Sequence, residues 1–327
     1  MRAVVITRPG GPEVLEILDR PMPEPGLSQV RIRVVASALN RADVSQRLGR
    51  YPAPAGSPQD IPGLEYSGVV DSCGESVTMW NPGDEVMGIT GGGAHAEYLC
   101  VHEREVMRAP SRIPLEHAAA IPEVFATAHD ALFTRLSLRP GETVLIHAAG
   151  SGVGTAAIQL ARLAGVRTVG TSRSQAKLDR CLELGLDVAF RITSDDWAAH
   201  LTASAPGVTV SAVLDLVGAS YLKQNLDVVA PLGRIVSVGL TGGAKAELDM
   251  GIVMRKRLTI VGTVLRARPL EEKIAVAREL SSHIVPAFET GQLEPVIDRI
   301  VPFDDIASAH RAMENNETLG KILLVWR

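Results

Sequence analysis

The feature that most constrains this chain is a single turn. Residues 143–147 form a short apolar run, and His147-Ala-Ala-Gly-Ser-Gly-Val-Gly154 follows it directly. Small residues continue over 155–164 and stop at Gly165. A glycine-rich turn that follows a strand and opens a helix is the context a dinucleotide fingerprint requires. Small side chains let the backbone approach a pyrophosphate, and the helix N-terminus offers it free N–H groups and a partial positive charge. In the G-x-G-x-x-G register the segment reads Ala149-x-Ser151-x-x-Gly154, with Ala and Ser replacing the first two glycines. Gly150, Ser151, Gly152, Val153 and Gly154 are therefore the expected phosphate-side residues. The bland alternative is a tight strand-to-helix turn with no ligand; the strand before it, the helix after it and the alternation that follows favour the fingerprint.

Downstream, apolar runs at 167–170, 210–215, 234–238 and 259–264 alternate with helical patterns at 175–184 and 221–229. Strands alternating with helices predict a parallel, doubly wound sheet. Near-continuous apolar strands fit a sheet covered on both faces. Residues 1–121 have a different texture. Short apolar or alternating runs at 4–6, 14–18, 30–36, 67–73, 85–88 and 96–101 are separated by Gly and Pro clusters, which predicts a barrel or sandwich. Residues 51–62, rich in Pro, Ala and Gly, read as a long irregular loop. Helical periodicity runs through 115–136 with a break near Pro122. At the other end come an amphipathic helix over 270–288, a strand at 296–300, a helix at 306–314 and a strand at 321–325.

The tip of the second strand after the turn bears on cofactor choice. An NAD site normally places a carboxylate there, about 20 residues on, to hold the ribose 2′-hydroxyl. This chain has Gly170-Thr171-Ser172-Arg173-Ser174, with Lys177 in the next helical turn. Hydroxyls with Arg173 and Lys177 suit a 2′-phosphate through charge-assisted hydrogen bonds. Cations at a helix start oppose the dipole, which favours a bound anion over a merely solvated helix start. NADPH is the expected cofactor.

Composition excludes some classes. The 327 residues carry a formal net charge of −4, so no basic field for nucleic acid is present. No run of about 18 uncharged apolar residues suggests a membrane span. The N-terminus enters a strand without a signal-peptide pattern, so a soluble, cytoplasmic protein is expected. Cys73, Cys100 and Cys181 are odd in number and far apart, which fits free thiols in a reducing compartment. His95 and His147 have no partner visible in the sequence and read as ordinary structural histidines.

Several segments together resemble the medium-chain dehydrogenase/reductase superfamily, in its quinone oxidoreductase branch. They are Ala36-Ser-Ala-Leu-Asn-Arg-Ala-Asp43, Ile61-Pro-Gly-Leu-Glu-Tyr-Ser-Gly68, Gly91-Gly-Gly-Ala94, Ala119-Ala-Ile-Pro-Glu123, the run from His147 to Gln159, and Gly320-Lys-Ile-Leu323. The nearest group is that of the p53-inducible quinone oxidoreductases and their bacterial relatives. The resemblance implies an α/β fold: a GroES-like β-barrel catalytic domain from 1–121 and 268–327, around a Rossmann domain at 122–267. It implies a homodimer, with strands near 259–264 meeting across a two-fold axis. It also implies no zinc, because the Cys and His ligand positions of the zinc-dependent relatives match Asn40 and Leu64, and the third matches roughly Glu123.

By the same resemblance, a quinone or similar conjugated carbonyl sits between the domains near Asn40, Tyr51 and the loop after Gly91. Asn40 is the candidate donor to a developing oxyanion, or else the cap of a helix beginning at Arg41. Tyr51 is the candidate proton donor or stacking ring. Thr127, Gly239, Leu240, Val264, Leu265 and Arg266 match the nicotinamide end of the cofactor site, and Lys321 a cofactor-proximal lysine. Glu65 is expected to pair with a nearby base such as Arg41. Arg191 stands close to a position where relatives often carry a tyrosine beside the adenosine phosphate. The implied activity is zinc-independent NADPH:quinone reduction. An NADPH-dependent enone or alkenal reductase and a non-enzymatic NADPH-binding protein are the alternatives, since a fold alone does not fix a function.

Overall fold

The apolar run Ala3-Val4-Val5 forms the centre of β1 (Arg2–Ile6), paired antiparallel with β2 (Leu15–Asp19). The computed structural model describes residues 1–326. Beyond that hairpin come β3 (Gln29–Ala38), α1 (Arg41–Arg47), β4 (Glu65–Cys73), β5 (Glu85–Ile89), β6 (Tyr98–His102) and β7 (Val106–Arg108), then α2 (Leu115–Ala118) and α3 (Pro122–His129). The break at Pro122 is real. Proline has no N–H to give and is tolerated at the first helical position, so the helix restarts there.

A π-helical turn over Asp130–Arg135 leads into β8 (Thr143–Ile146), α4 (Gly152–Leu163), β9 (Arg167–Ser172), α5 (Gln175–Glu183), β10 (Val188–Arg191) and α6 (Trp197–Ser204). There follow β11 (Val210–Asp215), α7 (Ala219–Val228), β12 (Val229–Ser237), α8 (Met250–Lys256) and β13 (Thr259–Gly262). The chain closes with α9 (Leu270–Glu279), α10 (Val285–Glu289), β14 (Ile297–Pro302), α11 (Ile306–Glu314) and β15 (Lys321–Val325). Two units result: Met1–Ala126 with the chain from Leu265 onward, and Thr127–Val264. The first division falls inside α3.

In the first unit the sheet order is β14-β15-β3-β4-β5-β7, with β6 pairing on β3. Its β3–β4 ladder shifts register twice, between Arg31/Ile32 and Val34/Ala36. Such bulges bend a sheet toward closure. Val30, Ile32, Tyr66, Val70, Val86, Leu99 and Val101 fill one core, and Val4, Leu39, Phe303, Ile322 and Leu324 another. Residues 51–62 hold no helix or strand, as their composition predicts.

In the second unit all six strands are parallel, in the order β10-β9-β8-β11-β12-β13. The order reverses between β8 and β11, which is the switch point where doubly wound sheets open a crevice at the carboxyl ends of their strands. Every residue of β8 is buried, so its unbroken apolar run follows from burial on both faces.

Some expectations need correction. The helix after the glycine turn begins at Gly152, not 155, because Ser151 caps it by accepting from Gly154 N at 3.1 Å. β12 starts at Val229, upstream of 234, and passes through Leu232 at φ +64° with a register shift against β11. The helix expected over 270–288 is continuous but contains a π-helical turn at Leu280–Ile284. β7, β10, α6 and α8 have no counterpart among the expected elements.

Candidate active site

In the second unit the loops at the carboxyl ends of four strands are tied to one another. Ala148 takes φ +49°, and Ala149 N donates to Thr171 O at 2.9 Å, which joins the β8 turn to the end of β9. A Cβ on Gly154 would lie 2.5 Å from Ala149 O, so only glycine lets the first turn of α4 lie against that loop. A Cβ on Gly150 would meet the Lys177 side chain at 3.1 Å, which puts the phosphate-side turn beside the start of α5. Asp215 accepts from Val217 N and Gly218 N at 2.8 and 2.9 Å, and Gly239 packs so closely on Leu216 O that a side chain has no room.

His147 lies fully buried beneath this end of the sheet. Its Nε2 is 2.7 Å from Asn225 Oδ1 and its Nδ1 is 2.9 Å from Thr171 Oγ1, while Asn225 donates to Asp215 Oδ2 at 3.1 Å. Burial holds this imidazole below its ordinary pKa, against the attraction of Asp215. The neutral ring then donates from Nε2, since Asn225 Oδ1 can only accept, and Nδ1 accepts from Thr171. The partners that the sequence did not reveal thus lie 24 and 78 residues away.

At the tip of β9, Ser172 Oγ accepts from Ser174 N at 3.1 Å, and Ser174 Oγ caps α5. Arg191 of β10 stands directly opposite Ser172 and donates its Nε to Arg173 O at 3.3 Å. Two exposed guanidinium groups therefore share one strand tip with the half-buried Lys177 nearby. Guanidinium and ammonium donors of this kind could hold a phosphate through charge-assisted hydrogen bonds. Thr127 is buried, whereas Leu240 and Val264 are 60% and 56% exposed.

The first unit carries a second constellation. Asn40 stands at the N-terminus of α1, and its N–H donates to Asp43 Oδ2 at 2.8 Å. Its side-chain amide donates to Ala38 O and Glu65 Oε1 at 3.1 and 2.9 Å, and its carbonyl accepts from Lys321 Nζ at 2.7 Å. An oxyanion would have to displace Ala38 or Glu65 from that amide. Glu65 does not pair with Arg41; its partner is Lys321, at 2.7 Å, and Arg41 instead donates to Asn316. Lys321 donates to Leu39 O and Asn40 Oδ1 and pairs with Glu65, so its buried ammonium is held within this unit.

Asp43 is the buried centre that the sequence reading missed. Burial opposes its charge, yet the neighbouring His95 and the N–H groups of Asn40 and Gly63 outweigh burial and hold its carboxyl below the usual range. His95 in turn bonds Ser37 Oγ at 2.7 Å. The signal was available, because Asn40-x-x-Asp43 has the spacing of a capping box. Among the described residues no three His, Cys, Asp or Glu side chains are grouped to hold a metal ion, and the zinc-ligand positions hold Asn40 and a buried Leu64.

Arg266, expected at the nicotinamide end, is held by residues of its own unit. Only 4% exposed, it donates Nε to Gly91 O at 2.7 Å, Nη1 to Tyr51 O at 3.2 Å and Nη2 to Gln46 Oε1 at 2.5 Å. Its guanidinium lies 5.2 Å from the centre of the Tyr51 ring. Burial raises the Tyr51 phenol above its ordinary pKa, with Arg266 pulling the other way.

Comparison with known proteins matches this architecture. Residues 26–111 match the alcohol dehydrogenase GroES-like domain and residues 152–282 the zinc-binding dehydrogenase family. A quinone oxidoreductase of Pseudomonas aeruginosa is 33% identical, over 97% of each chain. A solved NAD-dependent alcohol dehydrogenase is 35% identical with a TM-score of 0.89, covering all of both chains. The Escherichia coli quinone oxidoreductase solved in complex with NADPH is 26% identical, with a TM-score of 0.89, over 99% of this chain and all of the other. The chain is an oxidoreductase of the medium-chain dehydrogenase/reductase superfamily, with a GroES-like unit and a Rossmann unit, and belongs with its quinone oxidoreductases.

Proposed function

We propose that this protein is a zinc-independent, NADPH-dependent quinone reductase. The observation that carries the reading is the strand tip at which Ser172, Arg173 and Arg191 stand together, with no carboxylate where an NAD site would place one. That difference outweighs the likeness to an NAD-dependent relative, because a carboxylate there would repel a 2′-phosphate, whereas these side chains attract it.

Ser172, Arg173, Lys177 and Arg191 would hold the 2′-phosphate. The Gly150–Gly154 turn, with Ser151, Gly152 and Val153, would hold the pyrophosphate at the start of α4. Thr127, Gly239, Leu240 and Val264 of the same unit remain the candidates for the nicotinamide end. When bound, NADPH supplies a hydride. Acceptor reduction then needs a proton, and the Tyr51 phenol, kept protonated by burial, holds one at its Oη. Asn40 is committed to Ala38 and Glu65, so Tyr51 is the better donor to the acceptor oxygen. The acceptor is a small quinone or conjugated carbonyl, and nothing in the charge balance invites nucleic acid.

The edge strand β13, with Ile260 exposed on it and Val264 exposed just after it, supports a homodimer joined by strand pairing. Three unpaired cysteines support a reducing, cytoplasmic setting. Among the described residues no helix is long and apolar enough to cross a membrane. The test is NADPH oxidation, after chelator treatment, with a panel of ortho- and para-quinones beside α,β-unsaturated carbonyls. Quinone turnover that survives the chelator is the expected result. Turnover confined to enones, or activity abolished by the chelator, would refute the reading.

A further inference from the structure

We propose that Arg266 is a positioning residue for the acceptor: it pins the 51–62 loop and the Gly91–Gly93 loop together and sets its cation behind the Tyr51 ring. The inference rests on the reading above, which places the acceptor at Tyr51.

Three fixed acceptors hold the guanidinium, and each belongs to a different piece of chain. Gly91 O takes Nε, Tyr51 O takes Nη1 and Gln46 Oε1 takes Nη2. Gln46 passes the constraint on, donating its amide to Gln59 O at 3.0 Å near the far end of the 51–62 loop. One side chain thus fixes the start of the loop directly and its end through a single relay. The Gly91–Gly93 loop lies flat on the same segment. A Cβ on Gly91 would strike Ser57 and Pro54, and one on Gly93, at φ +93°, would meet Pro58 at 3.2 Å. The planar fork of arginine matches this divergent set, which a lysine ammonium cannot.

The loop has no helix or strand of its own to hold it. Without Arg266, the carbonyls of Tyr51 and Gly91 lose their partner and Tyr51 is free to wander. The cation 5.2 Å from the ring centre also places positive charge beside the phenol that gives up its proton. The sequence resemblance gave Arg266 to the cofactor. The structure turns all three of its nitrogens toward the acceptor loops of its own unit.

Two measurements on the full-length protein test the proposal. In Arg266→Gln, amide exchange in 51–62 and 91–93 is expected to accelerate by about tenfold or more while the rest of the chain keeps its protection. Unchanged exchange in those two loops would overturn the inference. If Arg266→Gln does not fold, Arg266→Lys, which keeps the charge but loses the fork, carries the same exchange test.

In turnover, Arg266→Gln should lower quinone kcat/KM by about tenfold to a hundredfold, the scale of a misplaced reacting group. NADPH affinity, read from cofactor fluorescence without acceptor, should not change. In a Tyr51→Ala background the Arg266 change should cost nothing more. Additive losses, or a loss that falls on NADPH affinity, would overturn the positioning role. A wild-type protein that turns over no quinone would sink the functional reading instead, and the exchange result would then decide the pinning of the loops by itself.

Discussion

Lys321 and Glu65 form an ion pair of 2.7 Å whose side chains are 4% and 0% exposed. Each also holds Asn40, Lys321 through the Asn40 carbonyl and Glu65 through its amide. A buried pair of this kind adds little net stability against an apolar substitute, but losing one partner strands the other charge. Lys321→Met should therefore lower the free energy of unfolding by about 3–5 kcal/mol, read from urea titration, and the double change Lys321→Met with Glu65→Leu should cost less than the single one. A single variant as stable as the wild type would show that Glu65 is solvated or protonated instead.

His310 lies buried beside Arg47, which donates to its Nδ1 at 3.2 Å, and burial pushes its pKa down to about 3. In the unfolded chain it titrates near 6.5. Between those values the unfolded state binds the extra proton, so stability falls as pH drops below 6.5. The expected loss from this residue is about 2 kcal/mol between pH 7 and pH 5. Chemical denaturation of the wild type and of His310→Gln at both pH values measures it. If the variant loses as much stability as the wild type, His310 is not the group responsible.

Gly154 abuts the carbonyl of Ala149, so Gly154→Ala must push the first turn of α4 away from the β8 turn. The strain should cost about 1–3 kcal/mol in thermal or urea unfolding and weaken NADPH binding with it. Full retention of both would mean that the turn has slack the close approach conceals.

Arg173→Asp restores the carboxylate typical of NAD sites at the tip of β9. It should reduce kcat/KM for NADPH by about tenfold to a hundredfold and leave NADH unchanged or improved. An equal loss with both cofactors would mean that Arg173 acts on something other than the 2′-phosphate.

Much of the fold could be read because burial writes itself into sequence. β8 and β11 are covered on both faces and appear as apolar runs, and α4 shows the small residues that close approach demands. α8 is seven residues long, and its apolar residues Met250, Ile252, Val253 and Met254 run almost together, too short a stretch to show a helical period. β7 is three residues long and lacks a period to detect. At the site, local chemistry was legible and long-range pairing was not. The glycine turn and the cationic tip of β9 lie within 30 residues of each other, whereas Lys321 meets Asn40 across 281 residues. Arg266 is given to the cofactor by the family resemblance alone, while its partners Gln46, Tyr51 and Gly91 lie at least 175 residues away.

The central claim is that the tip formed by Ser172, Arg173 and Arg191 selects a 2′-phosphate for the reduction of quinones. Its most direct test is the ratio of kcat/KM for NADPH and NADH, measured on the wild-type protein with one quinone held at saturation. A ratio of about ten or more in favour of NADPH is the result expected from two or three charge-assisted hydrogen bonds to the phosphate. A ratio near one, or a preference for NADH, would contradict the account.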